Sequence, residues 1–173
     1  MTLEELFDDQ SLKAKDRSAH LQRMLDGGEV KQATLITFAD GAKAAVKATC
    51  LEGLEYVTKT RPTFLSEAGL DLCLRALADK EPRVKWEAAR VIGNTIHRFP
   101  KRAEEALEAL LPQATHEGAV VRWSAAYALG RLIGMRSPLN KKLLPKVEAI
   151  AKGEEKNSIR KIHEATIKMA SKA

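Results

Sequence analysis

The sequence contains few aromatic residues, few cysteines and no long hydrophobic segment. Aromatic side chains make up 5% of its 173 residues, and Cys50 and Cys73 lack the paired spacing of a metal or redox motif. No apolar run approaches the roughly 18 residues that a membrane-spanning helix requires. The first ten residues carry four acids and no base, unlike a secretory or transit peptide. We therefore expect a cytoplasmic protein, not associated with a membrane, whose cysteines stay reduced.

Motifs for catalysis and cofactor binding are missing as well. The sequence has no glycine-rich phosphate-binding loop, no Gly-x-Ser-x-Gly and no His-Glu-x-x-His. His163 and Glu164 begin the last of these motifs, but Ile167 stands where the second histidine would be. Adjacent carboxylates such as Glu104 and Glu105 diverge around a helix, so they do not form an acid–base pair. We expect no catalytic residues, no metal and no cofactor.

Charge is distributed unevenly along the chain. The net charge is +6 at pH 7, and residues 1–80 contain 11 Lys and Arg against 13 Asp and Glu. Residues 81–173 contain 18 Lys and Arg against 10 acids. A basic half of this kind is suited to nucleic acid, an anionic surface or an acidic protein. A solvated, lysine-rich helix surface would have the same composition, so charge alone leaves these interpretations open.

Apolar residues recur at helical spacing along most of the chain, and no stretch alternates like a β-strand. Val84, Ala88 and Val91 form one such helical face. Pro112 and Pro145 fall inside predicted helices, where each is expected to kink or shorten the helix. The pattern predicts an all-α protein with helices near 3–8, 11–26, 29–39, 42–60, 66–79, 82–98, 101–115, 118–134, 140–152 and 155–171.

One helical segment is repeated along the sequence. The segment EPRVKWEAARVIGNTI (81–96) recurs as GAVVRWSAAYALGRLI after 37 residues, and a degraded copy, KNSIRKIHEATIKMA, follows after 38 more. The paired alanines of the first two copies let neighbouring helices approach closely. A single helix pair cannot bury its apolar face alone, so repeated pairs are predicted to stack into an α-α superhelix.

The repeated segment resembles the second helix of a HEAT repeat. That helix carries an acidic turn residue, often a proline, a branched residue followed by Arg or Lys, then Ala-Ala and Leu-Gly. The likeness is good over 66–135, moderate over 138–171 and weak over 28–62. It implies one domain over 1–173 that forms a right-handed HEAT-like solenoid. The implied parts are N-terminal capping helices at 1–27 and repeats at 28–62, 66–99, 101–135 and 138–171.

In HEAT repeats the acidic turn residue and the basic helix residue usually make contacts between neighbouring repeats. The resemblance therefore implies structural roles for Asp79, Lys85, Arg122 and Arg160. His116 occupies the position of one acidic turn residue, which puts one of these contacts in question.

The second helices of such a solenoid line its concave surface. With Val84, Ala88 and Val91 facing the core, the outward positions of two successive repeats bring aromatic and basic residues together. The predicted surface consists of Arg83, Trp86, Arg90, Asn94, Trp123, Tyr127 and Arg131, with Lys161 and Lys168 further along. Trp, Tyr and Arg are enriched at protein-binding hot spots. The same groups stack on bases and neutralise phosphates, and both tryptophans could instead pack between repeats.

These features favour a non-enzymatic interaction or scaffold module with a protein partner. The alternative is a nucleic-acid-binding protein, because compact HEAT-like relatives include the alkylpurine DNA glycosylases, which use an aspartate and tryptophans in a basic groove. No aspartate follows Asp79, so a catalytic carboxylate in the basic half would have to be Glu87, which the helical pattern places outward. Bilin-lyase-like HEAT proteins are a third class, although no residue points to a tetrapyrrole.

Overall fold

The computed structural model describes residues 1–172, so Ala173, the last residue of the predicted domain, lies outside the described part. Those residues contain ten α-helices and no β-strand. The helices are α1 (Leu3–Asp8), α2 (Ala14–Asp26), α3 (Gln32–Asp40), α4 (Ala44–Thr60), α5 (Glu67–Ala76), α6 (Pro82–Thr95), α7 (Ala103–Leu110), α8 (Ala119–Gly134), α9 (Asn140–Gly153) and α10 (Asn157–Ser171). Each lies where the hydrophobic periodicity predicts a helix, and the all-α prediction is confirmed.

Local sequence explains where several helices begin and end. Thr2 and Glu5 form a reciprocal capping box at the start of α1, and the Ser66 hydroxyl accepts a hydrogen bond from an amide in the first turn of α5. α7 ends at Leu110 and continues as a 3-10 turn, because Pro112 has no amide proton to extend the α-helix. The predicted shortening is confirmed there. Pro145 does not shorten α9, which continues to Gly153.

The helices alternate between two layers. α2, α4, α6, α8 and α10 pack side by side in one layer, and the odd-numbered helices form the other. Contacts between neighbours are extensive in the even-numbered layer and sparse between odd-numbered helices. The more closely packed layer of a curved solenoid is expected on its concave side, so we assign the even-numbered helices to that side. This arrangement of stacked helix pairs is the α-solenoid that the repeated segment predicts.

Glycine allows the even-numbered helices to approach one another closely. A β-carbon added to Gly93 in α6 would lie 2.5 Å from Tyr127 Cε1 in α8. One added to Gly130 would lie 2.8 Å from the Thr166 hydroxyl in α10. Both distances are shorter than van der Waals contact, so the repeat spacing depends on the absence of a side chain at these two equivalent positions.

The outer face of α10 differs from the faces that pack inside the array. Ala126 and Gly130 of α8 are succeeded 38 residues later by Glu164 and Lys168, which are both exposed. Two charged side chains thus replace the small residues that a neighbouring helix would need. The outer face of α10 is therefore unsuited to the helix packing found between α6 and α8.

Three successive repeat turns share one hydrogen bond. In each, the side chain of a turn residue accepts a hydrogen bond, here called the turn cap, from the backbone amide two residues later, which belongs to the residue just before the helix. The pairs are Asp79 with Glu81 at 3.0 Å, His116 with Gly118 at 2.9 Å, and Glu154 with Lys156 at 2.9 Å. His116 therefore makes the same turn cap as the two carboxylates.

Two of these turn residues also pair with a base from the preceding repeat. The Lys47 ammonium lies 4.0 Å from Asp79, and the Arg122 guanidinium binds both oxygens of Glu154, at 2.9 and 3.3 Å. Burial disfavours the charge on Glu154. The hydrogen bonds from Arg122 and the Lys156 amide outweigh burial, so the pKa of Glu154 lies below its ordinary value.

The corresponding contact is missing at His116. Lys85 is the base that would face this turn, and it donates instead to the carbonyl oxygen of Leu77 in its own repeat, at 3.1 Å. Arg160 likewise donates to its own turn, at the Glu154 carbonyl oxygen 3.1 Å away. His116 thus keeps the cap of this turn but offers Lys85 no negative charge.

Candidate binding surface

Trp123, Tyr127 and Arg131 lie four residues apart on α8 and therefore share one face of the helix. The rings of Trp123 and Tyr127 are stacked, with centroids 6.1 Å apart and planes inclined by 11°. Trp123 is 37% exposed, Tyr127 is half-buried and Arg131 is exposed. This face of α8 thus presents two aromatic rings and a cation on the concave side of the solenoid.

Arg90 joins this face from the neighbouring repeat. Its guanidinium carbon lies 5.0 Å from the centroid of the Trp123 ring, which is a cation–π contact between α6 and α8. Within residues 1–172, Arg90 has no carboxylate in salt-bridge range, and its buried Nε has no hydrogen-bond partner. We call Arg90, Trp123 and Tyr127 the aromatic–cation row.

Asn94 is a correction to the predicted surface, because only 5% of this residue is exposed. Its amide nitrogen donates to the Glu55 carbonyl oxygen at 3.2 Å and to the Thr58 hydroxyl at 3.1 Å, both in α4. The Tyr127 hydroxyl of α8 donates to its side-chain oxygen at 2.5 Å. Asn94 therefore bridges three helices beneath the surface and supports Tyr127 from below.

Glu87 is a second correction. The helical pattern places it outward, but it is 5% exposed and accepts a hydrogen bond from the Trp86 indole nitrogen at 3.1 Å. Burial raises the pKa of Glu87, although Trp86 and the nearby Arg90 act in the opposite direction. Its second oxygen has no partner among the described residues. Trp86 is half-buried and is therefore less accessible than Trp123. Its indole nitrogen is already engaged by the hydrogen bond to Glu87.

The Arg83 side chain is engaged by contacts with α4. Its guanidinium forms an ion pair with Glu52 at 3.0 Å and lies 3.4 Å from the Thr49 hydroxyl. The Ser18 hydroxyl donates to the same oxygen of Glu52 at 2.7 Å. The positive charge of Arg83 is therefore balanced within the contacts of α2, α4 and α6.

Two clefts flank the aromatic–cation row between α8 and α10. The Arg90 cleft, of about 190 Å³, is lined by Arg90, Ala119, Val120, Trp123, Lys156, Ser158 and Ile159. The Arg131 cleft, of about 430 Å³, is lined by Tyr127, Gly130, Arg131, Lys161, Ile162, Ala165, Thr166 and Met169. Each contains two cations and no carboxylate.

Several side chains that line these clefts lie outside the predicted surface, among them Val120, Lys156 and Met169. Lys156 precedes the first turn of α10, and Val120 lies in the first turn of α8. Their positions near helix starts fall outside the repeated aromatic and basic positions on which the prediction depends. A signal was present for Met169, because it occupies the position equivalent to Arg131 one repeat later.

The remaining candidates for chemistry lie elsewhere. No group of three or more His, Cys, Asp or Glu side chains within residues 1–172 is placed to hold a metal ion. Cys50 and Cys73 are free and buried, and burial raises the pKa of each thiol to about 12, so neither is a ready nucleophile.

A further cleft, of about 530 Å³, surrounds Arg122, whose guanidinium is already engaged by Glu154 and by turn carbonyls. No helix in the described range has the length and apolar character that crossing a bilayer requires.

A family model described as HEAT repeats matches residues 32–130 and again residues 70–165. The chain belongs to the HEAT-repeat family. The match includes α6 and α8, which carry the predicted surface from Arg83 to Arg131, and α4, which supplies its supporting contacts from Glu52, Glu55 and Thr58. A comparison with curated proteins finds no match to this HEAT-repeat protein.

Solved structures share the fold at low sequence identity. A designed armadillo repeat protein in complex with the peptide (KR)4 is 18% identical, with a TM-score of 0.74 over 97% of this chain and 80% of that one. The complex of CpcE and CpcF of phycocyanin lyase from Nostoc sp. PCC7120 is 20% identical, with a TM-score of 0.70 over 95% of this chain and 94% of that one. An engineered protein is 15% identical, with a TM-score of 0.75 over 98% and 78%. These similarities establish the helical-repeat fold.

Proposed function

We propose that this HEAT-repeat protein is a non-enzymatic binding module that holds a protein partner on its concave surface. The observation that carries the proposal is the aromatic–cation row, in which Arg90 packs on Trp123 and Trp123 stacks on Tyr127 across two repeats. Trp, Tyr and Arg are the residue types that dominate binding free energy at protein interfaces. We further propose that the protein acts in the cytoplasm, where its two free thiols would stay reduced.

The row is ordered before any partner arrives. Tyr127 is fixed by its hydrogen bond to buried Asn94, and Trp123 contacts both Tyr127 and Arg90. Fixing these side chains in the free protein lowers the conformational entropy that binding would otherwise cost, by about 0.5–1.5 kcal/mol for each ordered side chain. Trp123 nevertheless keeps 37% of its surface exposed, so a partner has apolar area left to bury.

The structural neighbours offer independent support of a general kind. One is a designed armadillo repeat protein with a bound peptide, and another is a complex of two protein chains. In each, a chain that shares this fold is in complex with a second polypeptide.

A site-specific crosslinking experiment tests the proposal. A photoreactive amino acid is placed at position 123 and, as the control, at position 146, which is exposed on α9 in the opposite layer. The proposal predicts that position 123 crosslinks to a defined set of proteins in cells of the source organism, and that Arg90→Ala reduces this crosslinking. Equal crosslinking from positions 123 and 146 would contradict it.

Binding of nucleic acid is the alternative that the same surface must be tested against. Affinity for short single- and double-stranded DNA and RNA is measured at about 50 and 200 mM salt. Binding through phosphates would weaken steeply over this range, and Arg90→Ala and Arg131→Ala would each reduce the salt dependence. We expect no binding tighter than micromolar at the lower salt. Tight binding that is lost at the higher salt would replace the protein partner with nucleic acid.

A further inference from the structure

We infer that the Arg90 cleft and the Arg131 cleft, which lie side by side and are together called the groove, bind an acidic peptide segment that also carries apolar side chains. The inference rests on the proposed function, because it identifies the chemical class of the partner for the same concave surface. The inference is based on which cations of that surface already have a carboxylate partner and which have none.

On the α4 and α6 side, the charge of Arg83 is already balanced, because its guanidinium forms an ion pair with Glu52 at 3.0 Å. Between α8 and α10 the situation is different. Within residues 1–172, no carboxylate lies in salt-bridge range of the four cations that line the clefts, which are Arg90, Lys156, Arg131 and Lys161. A ligand with negative charges would therefore supply the ion-pair partners that these cations lack.

The same clefts collect exposed apolar side chains. Within residues 1–172, the large hydrophobic residues with high exposure are Met1, Tyr56, Val120, Trp123 and Met169. Val120 and Trp123 line the Arg90 cleft, and Met169 lines the Arg131 cleft. A ligand of negative charge alone would leave this apolar surface in water, so the favoured partner combines acidic with apolar side chains.

The dimensions suit a peptide better than a duplex. Trp123 and Arg131 mark the two clefts and are eight residues apart on α8, which is about 12 Å along a helix. An extended peptide covers this distance in about four residues. Nucleic acid needs cations that follow its phosphates over a longer path, but Glu52 balances Arg83 on the adjoining part of the concave face.

Selection from a random peptide library tests the inference. Phage that display random 12-residue peptides are selected on the intact protein at about 100 mM salt, and bound phage are eluted with an excess of soluble protein. We expect enriched peptides to contain two Asp or Glu residues three to five positions apart, with Leu, Ile, Phe or Trp between or next to them. The tightest enriched peptide is then synthesised with a fluorophore and its Kd measured by anisotropy.

A charge-reversed variant and a matched control locate the binding site. Arg131→Glu with Lys161→Glu should weaken binding of the selected peptide at least about tenfold, because like charges then face each other. Lys80→Glu with Lys101→Glu changes the net charge equally at exposed positions away from the groove and should leave Kd within about twofold. Circular dichroism confirms that both variants are folded.

The outcomes separate the two proposals. Enriched peptides that lack acidic residues but require Trp123 would overturn the acidic partner and leave the protein-binding function standing. Failure to enrich any peptide, together with equal crosslinking from positions 123 and 146, would overturn both. An oligonucleotide that displaces the labelled peptide and binds more tightly than any selected sequence would assign the groove to nucleic acid.

Discussion

The Tyr127 hydroxyl of α8 donates a hydrogen bond to the buried side-chain oxygen of Asn94 in α6, at 2.5 Å. Asn94 in turn donates to α4, so one short chain of hydrogen bonds connects three successive second helices. Tyr127, whose hydroxyl makes the first of these hydrogen bonds, is also the residue on whose ring Trp123 stacks. The candidate binding surface and the packing between repeats thus share a residue, and changes at Tyr127 should affect both.

Tyr127→Phe should destabilise the protein by about 1–3 kcal/mol, because it leaves the buried oxygen of Asn94 without a donor. Tyr56→Phe is the control, since its hydroxyl bonds to Asp26 at 3.1 Å on an exposed face. That change should cost less than about 1 kcal/mol. Urea unfolding followed by circular dichroism measures both values. Equal effects of the two substitutions would show that the Tyr127–Asn94 bond has no special weight.

Gly93→Ala should also destabilise the fold, although alanine is the better helix former. The new β-carbon would lie 2.5 Å from Tyr127 Cε1 and 3.3 Å from the Ala128 α-carbon, so either the Tyr127 ring must shift or α6 and α8 must separate. We expect a loss of about 1–3 kcal/mol from overpacking. Gly153→Ala in α9 meets no atom within 4 Å and should be neutral or slightly stabilising. Thermal unfolding of the two variants checks the difference.

Glu87→Gln should gain stability relative to the natural protein as the pH rises. Burial raises the pKa of Glu87 in the folded state above its ordinary value of 4.5. The unfolded chain therefore loses this proton at a lower pH than the folded protein, and the natural protein loses stability as the pH rises from 4.5 through the folded pKa. The difference in unfolding free energy between variant and natural protein should be larger at pH 8 than at pH 4.

Glu148→Gln, which removes an exposed carboxylate from α9, is the control for the loss of one negative charge. Urea unfolding at four or five pH values supplies the comparison. A difference for Glu87→Gln that is constant with pH would show that Glu87 does not titrate differently in the folded protein.

His116→Asp should stabilise the protein by about 0.2–1 kcal/mol. The carboxylate can keep the cap on the Gly118 amide, as Asp79 does on Glu81, and it adds a negative charge for Lys85. His116→Asn supplies the cap without the charge, so the gain of Asp over Asn measures the new ion pair. That gain should shrink at high salt. If Lys85→Met removes none of it, the pair does not form.

Much of the architecture could be predicted because it depends on local sequence patterns. Hydrophobic periodicity located all ten helices, and the repeat of Val84-Lys85-Trp86 as Val121-Arg122-Trp123 indicated how they stack. Helix ends were less accurate. Residues 96–98 and 111–115 form 3-10 turns rather than the ends of α-helices, since such ends depend on a few hydrogen bonds at each terminus.

The all-α repeat fold follows from the sequence pattern alone, because helical periodicity and the small residues at Gly93 and Gly130 act within and between adjacent helices. The same pattern also predicts that Arg90, Trp123 and Tyr127 are neighbours. Which outward positions stay accessible depends on how the helices pack against one another. Periodicity gives the direction of a side chain around its own helix, whereas burial depends on what the next helix places over it, as Tyr127 is placed over Asn94. Which cations remain unpaired is decided in the same way, by contacts between residues more than 30 positions apart.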